Sequence, residues 1–466
     1  MKIFVVDIRN PETLAMLQAL YSRSHVSVET YLKDLNGIQI EPSAEEKKLQ
    51  EKMKTYYLGY GHESIADCGS ATVFIENVSM IAAKAIQNNQ LYNGQESSTR
   101  YIDFSHKDVE LKYLLYTNYP EWYTNNKTLI DDIINCSFVL YQKVYDNVYS
   151  EKKKQFFPDT EPSKSDDRAV SAYAFDVARG FLPCGTTTQL SMHATLRTLR
   201  KHFIKLKHHC FAEVRNIAIE VLKQLYNKYP NSFKEKDFQL PNEEDILTAT
   251  STYYISPGMA IDMLEISHLN KKYLEGLECT WNCEAHIHNL SSVDGFVTIR
   301  QYDPENGLDF GSWRDLQRHR NGICLPTIPI VLDGKYLGIG DWYYGHLDGF
   351  NFEEWNDIQN LLEKLSKKSE GSELIFLTSY LAPLGTPVAT AVSYNMEEWD
   401  YIFNLRLRNT VHPTLTNFLS KVQGLLKKDI PSFSKYDDIV ESLKNRDVSF
   451  QRGKHTITDS NGDSIG

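Results

Sequence analysis

Apolar and polar positions alternate along this chain in two rhythms, one suited to helices and one to strands. Residues 1–6, with Ile3, Phe4, Val5 and Val6 after Lys2, form a short strand-like run. Residues 45–60 begin with charged side chains and carry an apolar stripe as far as Gly59 and Gly61, the pattern of a helix closed by glycine. Residues 71–76 read as β and residues 79–90 as a helix, so Asn88, Asn89 and Gln90 fall at a helix end. Residues 191–226 read as one or two long helices, and residues 311–320 as another that Pro326 stops. Between these, residues 152–167 are rich in Lys, Pro, Asp and Ser and are expected to be an exposed loop. Residues 234–244, polar and proline-containing, are the expected linker, and residues 459–466 have the composition of a frayed tail.

The linker divides 466 residues into segments 1–236 and 245–466, each long enough to bury a core of its own. Seven dispersed cysteines suit reduced thiols better than a disulfide framework. The opening run lacks the long apolar stretch and cleavage site of a secretory signal, and no apolar segment is long enough to span a membrane. A cytoplasmic location is therefore expected. A net charge of −11 argues against an extended nucleic-acid face, which would be basic. A mononucleotide, by contrast, needs only a few well-placed arginines.

Two short strings supply such arginines. Gln95-Glu96-Ser97-Ser98-Thr99-Arg100-Tyr101 lies in the first segment and Arg318-His319-Arg320 in the second. A second pair of strings repeats between the segments: Ala178-Arg179-Gly180-Phe181-Leu182-Pro183, and Leu381-Ala382-Pro383. Twelve residues beyond each proline stands a helix start, Thr195-Leu196-Arg197 in one and Asn395-Met396-Glu397 in the other, and eleven residues beyond Asn395 lies Arg406.

These strings resemble the signature of the flavin-dependent thymidylate synthases, in which R-H-R, seven residues, S-x-R-Y and a later A-R-x-x-L-P run in one continuous order. Here the signature is divided. Asn88-Asn89-Gln90 occupies the R-H-R place ahead of Glu96, and residues 326–330 occupy the E-x-S-x-R place after Arg320. The counterpart of Arg179 is Ser379, and that of Arg406 falls near Lys205-Leu206-Lys207. The losses are complementary. The resemblance thus implies an α+β fold of two tandem thymidylate synthase-like domains, each with long helices and a mixed or antiparallel sheet, and a homodimer that mimics the family's homotetramer.

It also implies roles. Arg406 is the catalytic residue, polarising the uracil ring of dUMP with a planar, permanently charged fork. Glu96, Ser98, Arg100, Arg179, Asp315 and Arg318 bind the substrate. Ser64, in Gly61-His62-Glu63-Ser64, joins Glu96, Arg318, His319, Arg320 and Asn395 in binding FAD. NADPH and methylenetetrahydrofolate are the implied cosubstrates and dTMP the product. Arg100, Arg179, Arg318 and Arg406 are expected around one pocket, their mutual repulsion relieved by anionic ligands, while a decayed pocket lined by Asn88, Asn89, Gln90, Ser379 and residues 326–330 is expected to be nearly uncharged.

Glu397 stands where the family carries an arginine near the flavin, and an acidic group there disfavours an adjacent phosphate unless a neighbouring arginine pairs with it. Separately, a divergent relative that keeps the same phosphate grip has dCMP or another pyrimidine nucleotide as an alternative substrate. A catalytically dead nucleotide-binding or scaffold protein is the alternative of a different class. Cys279, Cys283, His286 and His288 have zinc-ligand chemistry, but the run is too compact for the usual spacing and no metal site is expected.

Overall fold

The computed structural model describes residues 1–6, 11–34, 44–242, 284–287, 296–301, 308–327, 329, 338–347, 352–369 and 375–444. In chain order the elements that carry the argument are strands β1 (Lys2–Val6) and β2 (Ser70–Ser79), then helices α1 (Met80–Gln87), α2 (Lys127–Phe156) and α3 (Lys164–Ala178). Strand β3 (Thr187–Thr195) runs into α4 (Leu196–Leu206), and α5 (Ala212–Lys228) follows. Strands β4 (Glu284–Ile287), β5 (Phe296–Gln301) and β6 (Leu308–Asp309) precede α6 (Phe310–Leu316). The remainder comprises β7 (Gly322–Pro326), β8 (Pro387–Val388), β9 (Thr390–Asn395), α7 (Met396–Arg406) and α8 (Pro413–Asp429). Helices predominate, with small sheets between them, so the class is α+β.

The chain forms two compact units: residues 1–98, 109–124 and 185–253 make one, and residues 99–108, 125–184 and 254–466 the other. This is a different cut from the two sequence segments, because α2 and α3 of the first segment fold with the second. All observed strand pairings are antiparallel. In the first unit the sheet order is β1-β2-β3, with Phe74 opposite both Phe4 and Ser191. In the second, β4-β5-β9-β7 form one sheet and β6-β8 a two-stranded ribbon.

Residues 191–195, expected to be helical, are strand: cross-strand pairing with residues 70–74 of β2 overrides their local preference, and the helix waits for the cap at Thr195. The expected loop at 152–167 shrinks to 157–163. Helix α2 continues to Phe156 because Ile130, Ile133, Ile134, Tyr141 and Val144 keep one buried stripe at helical spacing, and Ser163 caps α3 by accepting from Asp166 N. The expected linker is packed over Glu235–Phe238, a single 3₁₀ turn whose Asp237 is buried against Arg200 at 2.7 and 2.8 Å.

A local pattern occurs once in each unit. Ser79 caps α1 through Ala82 N at 2.9 Å, and Asp309 caps α6 through Ser312 N at 2.8 Å. Met80 N donates to Thr186 O at 3.1 Å in one unit, and Phe310 N to Thr386 O at 3.0 Å in the other. Thr195 and Asn395 then cap α4 and α7 through Thr198 N and Glu398 N. Each cap satisfies an otherwise orphaned amide and sets where its helix begins. Within the second unit the two proline segments lie antiparallel: Cys184 N donates to Ala382 O at 2.7 Å, and Leu384 N to Leu182 O at 2.8 Å.

Candidate functional site

In the second unit, the last turn of α3 carries Asp176 and the 3₁₀ turn that follows begins with Arg179, while the segment beginning at Thr99 supplies Arg100. Asp176, fully buried, is ion-paired with Arg100 Nε at 2.7 Å and with Arg179 Nε at 3.4 Å. Helix α6 places Asp315 at its end, where its carboxylate meets Arg179 Nη2 at 3.8 Å and Arg318 Nη1 at 3.5 Å. The last residue of α7 is Arg406, whose Nη2 donates to the Asp315 carbonyl at 3.2 Å. All four expected arginines therefore converge on two aspartates.

The electrostatics follow from that count. Burial pushes the Asp315 carboxyl up, but the guanidiniums of Arg318, Arg100, Arg179 and Arg406 outweigh it and hold it well below the usual range. Burial works against the charge of Arg179, and Asp176 and Asp315 more than restore it. For Arg406 burial wins, aided by Arg318 and Arg100, so its hold on the proton is weaker than an ordinary arginine's, although it stays charged at neutral pH. Anionic ligands alone were expected to relieve the repulsion; Asp176 and Asp315 already relieve part of it. Four cations against two anions still leave an excess of positive charge.

Arg179 Nη1 donates to Thr99 Oγ1 at 3.3 Å, but its buried Nε and Nη2 make no hydrogen bond of good geometry, only the ion-pair contacts. Buried guanidinium donors left in that state favour an added anion. Behind Arg179 lies a closed polar network. Tyr343 hydroxyl donates to Asp309 Oδ1 at 3.3 Å and sits 3.4 Å from His412 Nε2, while Thr414 links His412 to Asp309. Burial pushes His412 down to about 4, so its ring is neutral.

Arg318 is exposed and Arg320 partly exposed, both following the end of α6. His319 between them is buried, with Nδ1 3.0 Å from Glu398 Oε1 and Nε2 accepting from Arg406 Nε at 3.1 Å. Asn395 commits its Oδ1 to the cap of α7. The remaining expected residues belong to the first unit. Ser64 is exposed in the 3₁₀ turn Glu63–Asp67, Ser98 N donates to Ser22 O at 3.1 Å, and Glu96 is held by Lys84 at 2.7 Å and Gln87 at 3.0 Å. Cys279, Cys283 and His288 lie outside the described residues, as does part of 326–330; of His286 only the backbone in β4 is described.

Asn89, expected in an uncharged decayed pocket, instead lines a cavity of about 430 Å³ in the first unit together with Arg197, Lys201, Asp67 and His202. Arg197 pairs with Asp67 at 2.9 Å and Lys201 with Glu63, so this pocket is charged but internally neutralised. Asp176, Glu398 and Thr99 escaped the sequence reading. Only Asp176 had a local signal, an acidic residue three positions before an arginine at a helix end.

The Thy1 family, described as thymidylate synthase complementing protein, matches residues 5–231. A UPF0159 protein of Chlamydia pneumoniae is 28% identical over 174 residues, covering 37% of this chain and 33% of that protein. The match thus spans a third of that relative's length. The flavin-dependent thymidylate synthase of Clostridium tetani is 27% identical over 232 residues, covering 48% of this chain and 82% of that enzyme. A crystal structure of ThyX from Helicobacter pylori with FAD and dUMP covers 51% of this chain and all of its own, at 13% identity and a TM-score of 0.25, a likeness too slight to carry a comparison of fold. Among the described residues, no helix is long and apolar enough to cross a membrane. Over residues 5–231, about half of its length, the chain belongs to the flavin-dependent thymidylate synthase (ThyX-like) family.

Proposed function

We propose that this protein is a duplicated flavin-dependent thymidylate synthase whose two repeats, residues 1–236 and 245–466, have each kept part of one nucleotide site. The reaction would be FAD-dependent methylation of dUMP to dTMP with methylenetetrahydrofolate and NADPH, in the cytoplasm. One observation carries this reading: Arg100 and Arg179 from the first repeat meet Arg318 and Arg406 from the second around Asp176 and Asp315, with buried Arg179 nitrogens held only by ion-pair contacts. The paired caps at Ser79 and Asp309, and at Thr195 and Asn395, support the duplication.

Arg100 and Arg179 would grip the nucleotide phosphate through charge-assisted hydrogen bonds, and Arg406 would stabilise negative charge developing on the uracil edge. The bound flavin would supply the redox and one-carbon transfer chemistry. Arg318 and Arg320 would hold its phosphates. Two fused repeats replace two subunits, so the assembly would be a homodimer, which light scattering reads directly.

The deciding experiment combines the flavin absorbance of the purified protein with dUMP-dependent tritium release. Arg406→Ala should cut release by about a hundredfold, the loss typical of one transition-state donor, while bound flavin is retained. Release at near wild-type rate refutes the catalytic role. A colourless protein that binds dUMP but takes up no FAD makes the scaffold reading correct, and release from dCMP in place of dUMP moves the substrate.

A further inference from the structure

We infer that His319 and Glu398 are positioning residues for the Arg406 guanidinium, not cofactor ligands. The inference rests on the nucleotide-site reading for its functional consequence, though its geometry stands alone. A guanidinium carries donors only, so the 3.1 Å contact from Arg406 Nε makes His319 Nε2 the acceptor. The imidazole is then neutral with its proton on Nδ1, which it donates to Glu398 Oε1 at 3.0 Å. Glu398 is itself fixed twice: its Oε2 accepts Asn321 Nδ2 at 2.9 Å, and its backbone amide is held by the Asn395 cap at 2.8 Å.

Burial and the neighbouring Arg406 charge both lower the His319 pKa against the pull of Glu398, consistent with the neutral ring. Glu398 stays below its ordinary value because its hydrogen bonds from His319 and Asn321 outweigh burial. The imidazole cannot drift, because Tyr394 hydroxyl holds the His319 carbonyl at 3.1 Å and the Tyr401 ring packs edge-on at 5.8 Å. Both ring nitrogens of His319 are thereby engaged within the protein. With Nε on His319 and Nη2 on the Asp315 carbonyl, one edge of Arg406 is committed and its orientation set. A long, flexible side chain presented this way loses less entropy when a ligand arrives.

The test reads the Arg406 Nε–H proton in the full chain with 15N-labelled arginine, its signal identified by its disappearance in Arg406→Lys. A hydrogen bond to a charged group is worth about 1.5–3 kcal/mol, so exchange should quicken about tenfold or more in His319→Leu and in Glu398→Ala. His319→Gln, with a donor and an acceptor on one planar amide, should recover most of the protection. Equal exchange in all these proteins overturns the inference, and so does His319→Gln behaving as His319→Leu. Functional coupling is measured by dUMP titration. His319→Leu should weaken binding about tenfold with flavin content unchanged, whereas parallel loss of flavin makes His319 a cofactor ligand after all. A wild type that binds no dUMP refutes the proposed function, while the exchange series still decides the positioning.

Discussion

Asp176 is the residue on which the arginine cluster most depends before any ligand arrives. Its carboxylate is fully buried, 2.7 Å from Arg100 Nε and 3.4 Å from Arg179 Nε, and both guanidiniums are themselves largely buried. At those distances the gross attractions are about 6 and 5 kcal/mol in an effective dielectric near 20. Desolvation of the charges offsets much of this, and breaking such a pair typically costs about 3–5 kcal/mol because the surviving charge is left buried. Asp176→Asn keeps the volume and one acceptor, so the lower end, about 3 kcal/mol, is expected. At about 2 °C per kcal/mol this lowers the melting temperature of the second unit by roughly 6 °C in phosphate-free buffer.

The same change raises the excess positive charge. Inorganic phosphate should therefore bind the variant better than the wild type and restore stability, by about 2.7 kcal/mol at a hundredfold excess over its dissociation constant. Differential scanning calorimetry across a phosphate series reads this. Asp237→Asn is the control: it breaks the bidentate pair with Arg200 in the first unit and should show a comparable loss with no specific recovery. A deficit in Asp176→Asn that phosphate does not reduce beyond the control refutes the anion-site reading, and no deficit refutes the counterion role.

Acid should weaken both units well above the carboxylate range. His202 and His412 are pushed down to about 4 and His209 to about 3, chiefly by burial. The unfolded chain therefore binds these protons first: their contribution is intact above pH 6.5 and is lost at about 1.4 kcal/mol per histidine per pH unit as pH falls towards the folded values. Urea midpoints that stay flat from pH 6.5 to 4.5 would contradict this. Gly180→Ala should cost about 1–3 kcal/mol, because an added Cβ would stand 2.1 Å from the Tyr343 ring, which Asp309 and His412 hold in place. A melting temperature equal to wild type would show that the ring can move.

Much of the local structure was written in stretches of four residues. Ser79, Thr195 and Asn395 mark helix starts because a cap needs only its own third neighbour. The arginines of the site were likewise legible as types, since a split signature keeps its letters. What could not be read was what each of them touches. Residues 191–195 became strand through partners more than a hundred positions away, and the expected loop at 152–167 lost most of its length to helices that pack elsewhere. Asp176 looked like an ordinary helix residue until folding brought Arg100 to it, and Glu398 until His319 and Asn321 closed on it. Helix caps depend on contacts within a turn, so sequence spacing settles them, whereas strand pairing depends on distant partners. Charge pairing falls off with distance through a low-dielectric interior, and those distances exist only after the long-range packing is complete.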